Sequence, residues 1–217
     1  VIDAAKRTGS TIIIDDKLPK ELNDMAATLA KVKATNPDVL TLSGHSKGAL
    51  TAIRQISEMQ VDIPMLAMTH CDASKLAKQH GKKAEYALCA AQWHKSLSYK
   101  DKYFGNGMKY DKDFNAEYGY TPPYQAAESS AALLVWKDAF ERANSTDTEK
   151  VRDALAKTDM QTFYGNIKFG SGGQNTAKPM VLFQVICDGD KCENKVVAPT
   201  KWASAKLVHP VPKWSER

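Results

Sequence analysis

Asn36-Pro37-Asp38-Val39-Leu40-Thr41-Leu42-Ser43-Gly44-His45-Ser46-Lys47-Gly48 reads as a breaker, an apolar run, a polar turn and the opening of a helix. Pro37 has no N–H and restricts Asn36, so it closes whatever precedes it. The run Asp38 to Leu42 then has the composition of a buried strand. From Gly48 to Met59 the apolar residues Leu50, Ile53, Ile56 and Met59 recur on one helical face, and upstream Leu22, Met25, Leu29 and Val32 do the same between Leu22 and Lys33. Ile12-Ile13-Ile14, after the stop signal Gly9, reads as a strand, and Ile63 to Met68 as another. Strands alternating with helices of roughly 10 to 15 residues build βαβ units, so the expected class is α/β, with parallel sheets flanked by helices.

The chain has 217 residues, 43% hydrophobic and 25% charged, which is globular composition and excludes disorder. Its longest apolar runs, such as Ala131 to Trp136, fall far short of the roughly 20 residues needed to cross a bilayer. The excess of basic over acidic residues is 30 − 25 = 5 and is scattered, so no nucleic-acid partner is expected. Val1, followed directly by the helix-like Ile2 to Gly9 without initiator Met or signal core, reads as an interior start, and a fragment is expected.

Between Trp93 and Tyr124 aromatic residues crowd into a Gly-punctuated, charged stretch, where a boundary is expected. Asp111 to Tyr118 and Tyr124 to Ala143 follow as helices, then Thr148 to Lys157, with Thr146 and Glu149 spaced as a capping box. Gly165 to Phe169 is strand-like, and Met180 to Ile186 pairs with Lys195 to Val197 across the hairpin signal Asp188-Gly189.

Gly44-His45-Ser46-Lys47-Gly48 matches G-x-S-x-G between a strand and a helix, the setting of a nucleophile elbow. An α/β serine hydrolase using Ser46, with Asp188 and His209 behind it, is the enzymatic alternative. Against it stand the lack of a Gly-rich oxyanion loop upstream and the proline-rich setting of His209. The simpler reading makes Ser46 a helix cap. Open α/β sheets place ligands at the carboxyl ends of their strands. That makes His45 and Ser46, and the next polar tip Thr69-His70, binding candidates without chemistry. A helix-capable segment follows Cys71. Trp93, after the strand-like Tyr86 to Ala91, is an aromatic candidate within a belt whose commoner role is packing. Glu128 either complements a helix dipole or accepts a ligand hydroxyl or ammonium. Cys187 and Cys192 sit opposite each other in the hairpin and fit a disulfide, with Cys71 and Cys89 as a second pair, which favours an oxidising compartment such as the periplasm. A lone C-x4-C lacks a second ligand pair, so no metal or cofactor is expected.

The ordered series Leu29 to Lys33, Asn36 to Leu40, Ile53 to Ile56, Ile63-Pro64, Tyr124 to Ala143, Val151 to Leu155, Tyr164 to Phe169 and Pro210 to Trp214 resembles the branched-chain amino-acid (Leu/Ile/Val) type of periplasmic solute-binding protein of ABC transporters. The likeness runs over essentially the whole chain and aligns it with the C-terminal part of that family. It implies a type I clamshell with an incomplete first lobe: residues 1–92 in lobe two, 93–177 in lobe one, and 178–217 returning to lobe two. It also implies a non-enzymatic periplasmic receptor that takes a small-molecule ligand and hands it to a membrane permease. By the resemblance, His45 stands where amino-acid binders commonly carry a tyrosine, Thr69 where they carry a glutamate, and the lobe-one helix contact falls near Glu128 or Ser130. A buried ammonium without a carboxylate costs several kcal/mol. An aromatic or other organic acid therefore suits His and Thr donors beside a Trp better than an amino acid does, unless Glu128 substitutes. With one lobe largely missing, 1–217 alone is expected to bind weakly or not at all.

Overall fold

The structure, a computed structural model, describes residues 2–19, 21–71, 76 and 79–217. The chain divides into two compact units. One comprises Val1–Ala90, Leu182–Ala198 and Ala203–Arg217, and the other Ala91–Val181 and Pro199–Trp202.

In the first unit, α1 (Ile2–Thr8), α2 (Ala26–Thr35), β1 (Leu40–Leu42), α3 (Ser46–Glu58), β2 (Leu66–Thr69) and β3 (Leu88–Ala91) follow in chain order. After Asn36 takes a left-handed conformation (φ 47°) and donates its N–H to the Val32 carbonyl, Pro37 prevents any continuation of α2. Strand β1 runs parallel to β2 and β2 parallel to β3, with Leu40 opposite Leu66 and Thr69 opposite Ala90. The helical periodicity buries Leu29 and Val32 of α2, and Ala52, Ile53 and Ile56 of α3, and the strand residues Met68 and Leu88 are buried as well. The hairpin β8 (Val181–Asp188) and β9 (Lys191–Ala198) completes a five-stranded sheet of order β1-β2-β3-β8-β9. Its turn uses Gly189 at φ 57°, a conformation glycine adopts without penalty.

Both cysteine pairs are joined. Cys71–Cys89 ties the end of β2 to β3, and Cys187–Cys192 closes a directly opposed pair of the hairpin, with Cα separations of 5.7 and 4.0 Å. The C-terminal segment is strapped onto the same unit: Val211 N–H donates to the Pro64 carbonyl, and the Trp214 indole N–H to the Val61 carbonyl.

Two expectations are corrected here. Ile12 to Ile14 form no strand, and Ile12 and Ile13 are 42% and 55% exposed, because β-branched residues make a strand only where a neighbouring strand pairs with them. The helix expected from Leu22 begins only at Ala26. Leu22 and Met25 are buried ahead of it, and Met25 N–H donates to the Gln55 side chain instead of opening an earlier turn. The helix-capable stretch after Cys71 falls largely outside the described residues.

The second unit holds the pairs β4 (Lys100–Asp101) with β5 (Gly105–Asn106) and β6 (Asp159–Thr162) with β7 (Gly165–Lys168), and the helices α4 (Gly107–Tyr118), α5 (Tyr124–Ala143) and α6 (Thr148–Ala156). Helices α5 and α6 meet through Ala139, Val151 and Ala154, where small side chains permit close approach. The capping box expected from Thr146 is not what starts α6: the Asp147 carboxylate accepts the Lys150 N–H, and Asp147 N–H is in turn held by Ser145. An acceptor one residue nearer the helix reaches the exposed N–H groups first. Phe163, Tyr110, Phe104 and Trp93 make an aromatic core, with Phe163 stacked on Tyr110 at 4.3 Å. Among the described residues no helix is long and apolar enough to cross a membrane.

Candidate functional site

The carboxyl ends of β1 and β2 are fastened to each other. Because the two strands are parallel and adjacent, the turns that follow them emerge side by side. Thr69 Oγ1 accepts the Gly44 N–H at 3.0 Å and donates to the Gly44 carbonyl at 3.1 Å, a two-way bond between tips 25 residues apart. Ser46 Oγ donates to the His70 carbonyl at 3.0 Å. The His45 and His70 rings stand 5.5 Å apart by centroid, both on exposed residues. His70 is left-handed (φ 53°), a conformation that persists in a non-glycine residue only when its surroundings enforce it. Here the Ser46 bond on its carbonyl and the Cys71–Cys89 bridge beside it supply that enforcement.

The four expected residues of this unit are therefore together, with divided tasks. Thr69 has spent its single O–H on Gly44, and Ser46 has spent its own on His70. Both hold the tips in place, while the imidazoles offer exposed N–H and N groups. Ser46 does not cap α3; it is the first helical residue, and His45 occupies the cap position without a side-chain bond. The arrangement gives no support to a hydrolase, since Ser46 points its proton at a main-chain carbonyl and His209 Nδ1 lies 3.2 Å from the Pro64 carbonyl. Ser46→Ala is expected to cost about 1 kcal/mol of stability, one hydrogen bond, and to leave reactivity toward a fluorophosphonate probe at the background level of the unmodified protein. Labelling of the unmodified protein that disappears in the variant would reverse this.

In the second unit, Trp93 is 5% exposed; its indole N–H donates to the Phe163 carbonyl at 3.3 Å, and its ring meets Tyr110 edge-on. These are packing contacts, the role expected of the aromatic belt as a whole. Ser130 shares a hydrogen bond of 2.9 Å with the Tyr110 hydroxyl. Glu128 is exposed on α5, and its charge acts on Tyr124, Tyr164 and Lys178.

One group was not legible in the sequence. The Lys178 ammonium donates to the Gln92 carbonyl and sits 4.3 Å above the Tyr164 ring. Burial pulls its pKa from 10.5 down to about 8, against the opposing pull of Glu128. Tyr164 is buried, which drives its phenol well above the ordinary range and keeps it neutral. No spacing pattern links residues 92, 164 and 178, so only the fold could bring them together.

The periplasmic binding protein family matches residues 1–191, and the chain belongs to that family. Solved structures similar to it include a leucine binding protein from Thermotoga maritima, with 22% identity, TM-score 0.67, and coverage of 82% of this chain and 50% of that one. A leucine-, isoleucine-, valine-, threonine- and alanine-binding protein from Brucella ovis aligns at 15% identity and TM-score 0.75, covering 97% of this chain and 56% of that one. An ABC transporter solute binding protein from R. palustris, solved with benzoate, aligns at 16% identity and TM-score 0.69, covering 94% and 56%. The chain thus spans 50 to 56% of the length of these relatives, and the fold is the periplasmic-binding-protein α/β architecture.

Proposed function

We propose that the chain is the solute-recognising part of a periplasmic receptor that delivers a small organic molecule to the membrane permease of an ABC transporter, and that it transforms nothing. The observation that carries this is the coupled pair of strand-end turns: Thr69 locks onto Gly44, and two imidazoles are presented 5.5 Å apart, with no activated nucleophile beside them among the described residues. Two disulfides fit an oxidising compartment. Related receptors that bind leucine and other aliphatic amino acids, or benzoate, support a solute of that size.

The preferred solute is a carboxylate on an apolar body. Among the described residues of these tips, His45, Ser46, Thr69 and His70 carry no acid, and imidazole N–H groups suit a carboxylate. Glu128, on the second unit, is the acidic candidate for a solute ammonium. Calorimetric titration of the full-length protein against leucine, benzoate and 4-hydroxycinnamate tests the proposal, with heat expected from at least one of the two acids. A response to leucine alone would overturn the solute class, and no response to any would overturn the receptor reading.

A further inference from the structure

We propose that the Cys71–Cys89 disulfide is a positioning element of the solute site, so that the closed bridge and the bound solute stabilise each other and opening the bridge weakens binding; this rests on the receptor reading above. His70 is held from two directions. On the β1 side, Ser46 Oγ donates to the His70 carbonyl at 3.0 Å. On the β3 side the next residue, Cys71, is bonded to Cys89, whose register partner on β2 is Met68. Between these anchors the His70 backbone stays left-handed at φ 53°, a conformation that a residue with a Cβ keeps only while its surroundings enforce it. The ring it carries stands 5.5 Å from that of His45, so a relaxed backbone at His70 takes one imidazole out of the pair.

The second disulfide provides the internal control. Cys187 and Cys192 are half-buried, whereas Cys71 and Cys89 are 5% and 0% exposed. The ladder pairs Ile186 with Glu193 and Asp188 with Lys191 hold the hairpin in register on either side of Cys187–Cys192 without the sulfur bond. Cys187 N–H donates to the carboxylate of Glu85, which precedes β3, and β3 runs parallel to β2, so this bridge lies at the end of the sheet away from Thr69 and His70. A dithiol opens either bridge by thiolate attack on one sulfur. The protein's S–S bond takes up two electrons and two protons to become two thiols, and the reagent becomes a cyclic disulfide. Exposure puts Cys187–Cys192 first in that order. Coupling between bridge and solute is reciprocal: the factor by which the closed bridge raises solute affinity is the factor by which bound solute raises the ratio of closed to open bridge.

The test uses the full-length oxidised protein, with leucine, benzoate and 4-hydroxycinnamate as probes and calorimetry to find the one that binds. Alkylation of freed thiols at graded dithiothreitol, followed by mass spectrometry, gives the closed fraction of each bridge with and without that probe. Saturating probe is expected to raise the closed-to-open ratio of Cys71–Cys89 roughly tenfold, the worth of one well-placed hydrogen-bond donor, and to leave Cys187–Cys192 unchanged. Cys71→Ala combined with Cys89→Ala supplies the permanently open form, expected to keep its circular dichroism and to bind the probe weaker by the same factor. Reduced protein is expected to regain full affinity on reoxidation. An unchanged affinity in the folded double variant, or an unchanged Cys71–Cys89 ratio under a probe that binds, overturns the positioning role and leaves the receptor reading standing. Unfolding of the double variant would make the bridge a stability element alone and overturns the role as well. Failure of the oxidised protein to bind any of the three probes overturns both.

Discussion

Trp93→Ala is expected to lower the unfolding free energy by about 3–5 kcal/mol, the usual cost of removing a large aromatic side chain from a packed core. Trp93 is 5% exposed, meets the rings of Tyr110 and Phe163 at 5.9 and 6.1 Å, and spends its only polar hydrogen on the Phe163 carbonyl. Truncation would leave a cavity beside Phe163, which has no exposed surface to relax into, and would orphan a buried carbonyl. Trp93→Phe keeps part of the ring contact and is expected to lie between the two. Urea unfolding followed by circular dichroism measures both. A loss below about 1 kcal/mol for the alanine variant would mean the indole is not a core residue and would return it to the list of solute contacts.

The second large effect depends on pH. Lys178 is a base whose pKa falls from 10.5 in the unfolded chain to about 8 in the folded one because burial disfavours its charge. Below pH 8 the group is protonated in both states, and the folded protein bears the whole desolvation cost. Between pH 8 and 10.5 the unfolded chain holds the proton that the folded one has released, so this group's contribution to stability rises with pH across that window. The full span corresponds to about 3 kcal/mol. Lys178→Met lacks the titration, so its stability advantage over the unmodified protein, measured by denaturant at pH 7 and pH 10.5, is expected to shrink by an amount of that order. A difference independent of pH would show that the ammonium is solvated.

Elements defined by long local periodicity were legible in the sequence. Helix α5 runs from Tyr124 to Ala143 as its apolar spacing predicts, and α3 starts two residues earlier than Gly48 and ends one residue before Met59. The hairpin at Asp188-Gly189 was also legible, because a turn residue with a free choice of φ sits between two β-rich runs. Ile12 to Ile14 misled because β-branching records a preference for extended backbone and says nothing of whether a partner strand is present.

The site was legible only as a pair of polar strand ends. That Thr69 and Gly44 are bonded in both directions, and that Ser46 serves the His70 carbonyl instead of capping its own helix, follow from the parallel register of β1 and β2, which no residue spacing encodes. Lys178 was silent for the same reason, lying 86 positions from the carbonyl it holds.

The coupled strand ends are tested most directly by following the ring-proton NMR signals of the five histidines while benzoate and leucine are added. The account expects the His45 and His70 signals to shift together and to saturate with the solute that binds, while those of His80, His94 and His209 stay in place. A solute that demonstrably binds while both the His45 and His70 rings remain unmoved would contradict it.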